Sequence, residues 1–388
     1  MTHETHTRAA SPKGSLQWLI EVLGGEVDGP SIPMLARPNS ANPELLIPLS
    51  SSAVSAAALT RRHDGRSLRE QAISELALLV TRTGQLRRIG GEVVDFPATA
   101  TMKLIATELG LSGLTPAIGI GPPRRNRKPS VMLITPAGRT VAYAKIGWSA
   151  LTRNLVANEF DWLQRLDGRV PEPFVIPSPL LSTETPSGPD GATKTIVMTP
   201  LPGNRGRKYP QLEASEIKSL ARSLGTRRRK VADLSWLAPP NSQGSPEDDL
   251  SKRLAAAVVR VRDQHAQVEL ETGLWHGDLN RWNTVTSGDS LGVFDWEFAG
   301  ADRPVGQDYL HIQFETLRRS GHRTPNEAIE TFLQQMDTER DPQRTVAIDV
   351  YLADLALRES RLSGQGWDGP MAGYREPLVE TLEDRLAP

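Results

Sequence analysis

The sequence predicts an α+β protein of two lobes, a small one built on antiparallel strands with one key helix and a larger, mainly helical one. Three observations carry that expectation. Short β-like runs separated by Gly and Pro turns follow one another between Thr115 and Ile146. A strongly apolar strand at Thr195–Thr199 is then halted by Pro200-Leu201-Pro202-Gly203-Asn204. Beyond that break the chain reads as helices around one compact strand-rich island, Leu274 to Phe298. A break between two lobes is a place where ligands bind.

Taken in order, residues 1–14 are polar and read as a disordered tail, without the apolar run of a secretory signal. Residues 15–112 form a mixed N-terminal α/β extension. It contains a helix at Leu68–Arg88, with Leu68, Ile73, Leu76, Leu79 and Val80 at helical spacing, and a second at Ala98–Leu111, closed by Gly110 and Gly113. Residues 113–199 make the small lobe. Its strands are Thr115–Ile120, Ser130–Thr135 and Thr140–Ile146, and an amphipathic helix, Leu151–Leu166, turns Leu155, Phe160, Leu163 and Leu166 to one side. Residues 200–205 read as a hinge and 206–388 as the large helical lobe. No internal repeat or heptad pattern is present.

Composition removes several kinds of chemistry. Among 388 residues there is no cysteine, which excludes disulfides, thiolate metal sites and cysteine nucleophiles. The most continuous apolar stretches, Ala53–Leu59 and Leu76–Val80, are too short to cross a bilayer. A formal net charge of −1 gives no pull toward nucleic acid or membrane. The basic run Thr226–Lys230 lacks interleaved aromatics and reads as a solvated helix face. The expectation is a soluble cytoplasmic protein with a small-molecule ligand, no nucleic-acid or membrane partner, and protein partners that the sequence does not name. Only nine lysines occur, none beyond Lys252, so a lysine standing where chemistry demands one carries weight.

The island holds the chemistry. It runs Trp275-His276-Gly277-Asp278-Leu279-Asn280-Arg281-Trp282-Asn283, then Thr284–Ser287, a turn, and Leu291-Gly292-Val293-Phe294-Asp295-Trp296-Glu297. Asp278 falls on a polar loop after a short strand, Asn283 starts the next strand, and Asp295 ends the strand that returns. A hairpin of this length draws Asn283 and Asp295 together. Their oxygens, with Asp278 nearby, suit Mg²⁺, which takes few protein oxygens plus phosphates and water. Phosphoryl transfer needs one carboxylate to orient a hydroxyl and take its proton, and an Asn and an Asp for the metal. His-x-Asp-x-x-x-x-Asn followed by a hairpin and Asp is the spacing of that chemistry in the kinase fold.

These residues resemble the aminoglycoside phosphotransferase and choline kinase family. Gly277 stands in place of the arginine that would read a phosphorylated activation loop, and Trp296-Glu297 replaces the Phe-Gly of a switchable one. The resemblance implies a protein-kinase-like fold over roughly Leu114 to Asp354. It also implies Asp278 as catalytic base, Mg²⁺ on Asn283 and Asp295, and ATP or GTP as phosphate donor. Lys145, on the strand Val141–Ile146, would meet the phosphates and pair with Glu159 on the following helix. The base would be read by the Leu201 amide and the Thr199 carbonyl, and Gly119 and Gly121 would lie in the phosphate-covering loop. Arg124, Arg125, Arg127 and Lys128 are either phosphate ligands or solvated. His276 and Asp308 would brace the catalytic loop. A small hydroxyl compound is the implied acceptor, a sugar, amino sugar or similar metabolite, with a plain sugar-like compound favoured because the C-terminal acids Glu376, Glu380, Glu383 and Asp384 do not cluster as a polycation would require. The rival expectations are a nucleotide-binding pseudoenzyme regulating a partner and a kinase of a macromolecule.

Overall fold

The computed structural model describes residues 15–25, 30–60, 90–121, 126–202, 212–239, 249–319, 324–336, 341–366, 371 and 373–387. The expected tail at 1–14 and the expected helix Leu68–Arg88 lie outside these. The chain divides into two compact units, Met1–Asp161 with Pro177–Arg207, and Trp162–Ile176 with Lys208–Pro388.

The first unit is organised by one eight-stranded sheet in the order β3-β1-β2-β4-β5-β6-β9-β8. Its strands are β1 (Ser31–Arg37), β2 (Leu45–Pro48), β3 (Glu92–Pro97), β4 (Thr115–Gly119), β5 (Ser130–Ile134), β6 (Thr140–Gly147), β8 (Pro179–Thr185) and β9 (Thr193–Met198), the short β7 (Phe174–Val175) belonging to the second unit. All pairings in this sheet are antiparallel. Strands from the first hundred residues therefore continue the sheet of the later ones, joined where Leu45 and Leu46 of β2 face Gly119 and Ile118 of β4.

Alternation along the strands feeds two cores. Met34 and Ala36 enter one with Trp18, Leu19, Ala144, Ile146 and Trp148, while Leu35 between them enters the other with Ile47, Val54 and Ile134. Helix α1 (Leu16–Val22) begins where the Ser15 hydroxyl accepts from the Trp18 amide, so its buried face is set from the first turn. Helices α2 (Ser52–Thr60), α3 (Ala100–Glu108) and α4 (Ala150–Leu166) follow. In α3, two residues later in onset than the sequence suggested, Thr99 caps the Met102 amide.

The second unit packs helices around the island. They are α5 (Ala214–Ala221), α6 (Asp249–Gln264), α7 (Gln307–Arg319), α8 (Pro325–Met336), α9 (Pro342–Gly364) and α10 (Arg375–Arg385). One core unites Val258 and Val261 of α6, Phe314 of α7, Phe332 of α8, Tyr351 and Leu355 of α9 and Leu378 and Leu382 of α10. Two three-stranded sheets complete the unit. The first holds β10 (Arg227–Lys230), β11 (Glu269–Trp275) and β14 (Gly300–Pro304); the second holds β12 (Thr284–Ser287), β13 (Ser290–Val293) and β7.

The basic run expected as a solvated helix face is β10, an exposed edge strand opposite Glu269–Thr272 of β11. Four like residues in a row carry no period that separates strand from helix, and pairing with β11 decides. Charge at the edge also keeps other strands away.

Candidate active site

In the first unit, β6 alternates between faces: Ala142, Ala144 and Ile146 are buried, and Lys145 stands on the opposite face. Its Nζ lies 2.6 Å from each carboxylate oxygen of Glu159, fully buried on α4. The predicted strand lysine and helix glutamate are thus brought together. Beyond β4, Gly119 and Gly121 frame a turn whose Ile120 and Gly121 amides donate to the Glu44 carbonyl at 2.9 and 3.2 Å. Gly121 has φ of +74°, a conformation that favours glycine. Thr199 donates its amide to the Ser178 carbonyl at 2.9 Å and accepts from the Ser178 amide through Oγ1 at 2.8 Å, and Leu201 is buried. Of the expected hinge, 203–205 lie outside the described residues.

In the second unit, β11 delivers the chain into His276-Gly277-Asp278. His276 is buried, with its ring centroid 4.5 Å from that of Trp296. Its Nε2 lies 3.1 Å from the Phe294 carbonyl and its Nδ1 accepts the Asp278 amide at 3.2 Å, a pair of bonds that fits the neutral ring. Burial pushes its pKa down to about 4. Asp308, in the first turn of α7, accepts the amides of His276 and Gly277 at 2.8 and 3.1 Å. Burial nevertheless raises its pKa to about 6, against the lowering effect of those two bonds. Between them Gly277 takes φ of +85°, and a Cβ there would stand 2.6 Å from the Phe298 carbonyl oxygen. The sequence has to supply glycine at this point for the loop to close.

Asp278 leaves its side chain 34% exposed and is held on both oxygens. Oδ1 accepts from Asn280 Nδ2 and Oδ2 from Asn283 Nδ2, each at 2.9 Å. Both amides also donate to the Asp278 carbonyl, at 3.0 and 2.9 Å. The hairpin β12–β13 pairs Thr284 with Val293, and the Phe294 amide donates to the Asn283 carbonyl at 3.0 Å, which leaves Asp295 one residue past that pairing. Asp295 itself has φ of +71°, left-handed and uncommon for a residue other than glycine, as found at constrained sites.

Three supports of this loop were not anticipated. His311 on α7, buried, lies with Nε2 3.4 Å from Asp278 Oδ1 and Nδ1 3.1 Å from the Tyr351 hydroxyl. Arg358 on α9 donates to the Gly277 carbonyl. Asn280 joins Asn283 on the carboxylate. A signal for His311 was present: it follows Asp308 by three residues, one helical turn on the same face.

The oxygen-only donor set of Asn283 and Asp295 fits a hard divalent cation. Asn283 turns its amide nitrogen to Asp278, so its side-chain oxygen is the atom left for a metal.

No curated protein sequence matches the chain significantly. An amicoumacin kinase, hAmiN, solved with AMP-PNP, Ca²⁺ and Ami, is similar over 73% of this chain and 93% of its own, at 14% identity and a TM-score of 0.43. A thermostable mutant of aminoglycoside phosphotransferase APH(4)-Ia, solved with AMP-PNP and hygromycin B, is similar over 75% and 99%, at 13% identity and a TM-score of 0.47. These distant likenesses leave the assignment to the sequence profile of the phosphotransferase enzyme family, APH, which matches residues 130–342, more than half of the chain. The chain belongs to that family.

Proposed function

We propose that the protein transfers the γ-phosphate of ATP or GTP to a hydroxyl of a small metabolite, a neutral or anionic sugar-like compound rather than a polycation. The observation that carries the transfer is the carboxylate of Asp278, anchored on both oxygens by Asn280 and Asn283 and still open to solvent. A group so fixed is oriented before substrate arrives, the condition under which positioning lowers a barrier.

In this reading Lys145, held by Glu159, meets the α- and β-phosphates, and the backbone around Thr199 and Leu201 receives the base. Gly119 and Gly121 let the loop approach the phosphates. Asn283 and Asp295 would hold Mg²⁺, which when bound supplies charge neutralisation at the phosphates. Asp278 accepts the acceptor hydroxyl's proton as its oxygen bonds to the γ-phosphorus. The bond from that phosphorus to the β-bridging oxygen breaks, and the nucleoside diphosphate leaves. His276 and Asp308 keep the loop in this geometry.

Charge near Asp278 supports the acceptor class. Glu315 is buried and tied to Arg318 at 2.7 Å and Arg319 at 3.0 Å. Burial opposes its ionisation, yet Arg318, His311 and Arg319 together hold its pKa down at about 2. Glu359 is buried, and burial raises its pKa. Beside Asp278 itself, Arg319 and Arg281 also reach solvent, both next to the Trp282 ring at 5.8 and 4.3 Å from its centroid. A polycation would meet repulsion there.

The experiment is nucleotide consumption by the purified protein with Mg²⁺, across neutral sugars, sugar phosphates, amino alcohols and aminoglycosides. Acceptor-dependent turnover confined to the first two classes is the expected result. Turnover with aminoglycosides alone would contradict the acceptor class, and no turnover with any acceptor would contradict the small-molecule reading.

A further inference from the structure

A single buried guanidinium links the first hundred residues to the nucleotide side. Arg127 lies between β4 and β5, at the far end of the loop that Gly119 and Gly121 begin, and is only 6% exposed. Its Nη1 donates to the Gly121 carbonyl at 3.2 Å. Its charge lies 5.7 Å from the ring centroid of Trp18, on α1. Trp18 packs edge-on against Trp148, with centroids 5.4 Å apart and planes at 85°. The Trp148 indole in turn donates to the Arg127 carbonyl at 2.9 Å.

The same cluster reaches the helix that carries Glu159. The Trp148 and Ser149 amides both donate to the Thr152 hydroxyl, at 2.9 and 2.8 Å, at the start of α4. From the other side, Glu44 accepts the Ile120 and Gly121 amides through its carbonyl, just before β2 pairs with β4. The turn is thereby fastened by Glu44 and by Arg127, and Trp18 and Trp148 pack against the arginine.

Such an arrangement is a poor device for stability alone. Among the described residues, Arg127 Nε and Nη2 are buried without a hydrogen-bond partner, as is the Trp18 indole N–H. Burying a cation with unmet donors costs free energy, and an apolar side chain of similar length would pack there without that cost. A planar, multi-donor cation is warranted where a loop conformation has to be specified.

We propose that the N-terminal extension is a working part of the nucleotide site: through Trp18 and Arg127 it positions the Gly119–Gly121 turn that meets the phosphates. This rests on the phosphotransferase reading above. Arg127 is here a positioning residue acting through the Gly121 backbone, and the chemical object it serves is the triphosphate rather than the base. Its removal lowers affinity for ATP and leaves affinity for adenosine.

The test titrates the full-length protein and its Arg127→Met, Arg127→Lys and Trp18→Phe variants with AMP-PNP plus Mg²⁺ and, separately, with adenosine. Thermal midpoints and amide hydrogen exchange at Ile120 and Gly121 are followed in parallel. For Arg127→Met the expected loss is about tenfold in AMP-PNP affinity with adenosine affinity held within about twofold. Exchange at Ile120 and Gly121 should speed up in the same variant, with Arg127→Lys falling between it and wild type. If Arg127→Met does not fold, Trp18→Phe carries the test, since it keeps an aromatic ring and its expected effects are faster exchange at these two amides and a smaller loss of AMP-PNP affinity. Unchanged AMP-PNP affinity, or equal losses for AMP-PNP and adenosine, in a folded variant overturns the proposal. A wild-type protein that binds neither ligand overturns the phosphotransferase reading instead.

Discussion

His311 Nε2 lies 3.4 Å from Oδ1 of Asp278, and its other ring nitrogen lies 3.1 Å from the Tyr351 hydroxyl. The carboxylate proposed as base is therefore supported from α7 and α9 as well as by its own loop. Because His311 is buried and meets the loop at Asp278 Oδ1, its contribution is orientation. Replacing it by Phe should lower kcat about tenfold while the KM for nucleotide stays within about twofold. His311→Gln, which keeps a donor, should recover part of the loss. Equal changes in kcat and in nucleotide KM would contradict an orienting role.

Lys145 and Glu159 make a different kind of pair, with the acid fully buried and the lysine partly so. Taking away the lysine leaves a carboxylate without its cation. Lys145→Met should cost about 3 kcal/mol in denaturant unfolding and weaken nucleotide binding. Adding Glu159→Met to that variant should restore most of the stability and none of the binding. Restored binding in the double variant would show that the pair serves folding alone.

Asp308 and His276 should give opposite pH dependences. Between the ordinary histidine value of 6.5 and its folded value of about 4, the unfolded chain protonates His276 first, so this residue costs stability as pH falls. Between 3.8 and about 6 the folded chain keeps a proton on Asp308 that the unfolded chain has released, so this residue costs stability as pH rises. The two slopes oppose one another from pH 4 to 6. Asp308→Asn removes the second alone. The stability advantage of wild type over this variant should shrink by about 2 kcal/mol as pH climbs from 4 to 6.5, measured by urea unfolding. An advantage that grows over that range would contradict the assignment.

Gly277→Ala tests the closure of the catalytic loop. With φ of +85° and the Phe298 carbonyl 2.6 Å from the new Cβ, the loop has to shift. A loss of about 1–3 kcal/mol in unfolding free energy is expected, with turnover falling further than stability explains. A variant of wild-type stability and rate would mean that the loop is not as confined as its geometry indicates.

Much of the site was legible because its parts are local. Asp278, Asn283 and Asp295 fall within one loop and hairpin, and Lys145 with Glu159 needs only a strand, a turn and two to three turns of helix. Those spacings translate directly into proximity. His311, Tyr351 and Arg358 were not legible in the same way, since they reach the loop only once α7 and α9 have packed through Phe314, Tyr351 and Phe332. The fold divides similarly. Gly and Pro turns marked off the strands at Thr115, Ser130 and Thr140, whereas β1, with Pro33 inside it, and the four-residue β2 lack such a signature and are defined by pairing. The run Arg227–Lys230 misled for the same reason: its register comes from β11.

The most direct test of the central claim is the Asp278→Asn protein, assayed with Mg²⁺, ATP or GTP and whichever hydroxyl acceptor supports wild-type turnover. Phosphorylated acceptor is followed directly, and nucleotide affinity is measured by titration alongside. The account predicts that transfer falls by at least about a hundredfold while nucleotide affinity stays within about twofold. Transfer at close to the wild-type rate would show that Asp278 is not the group that receives the acceptor's proton.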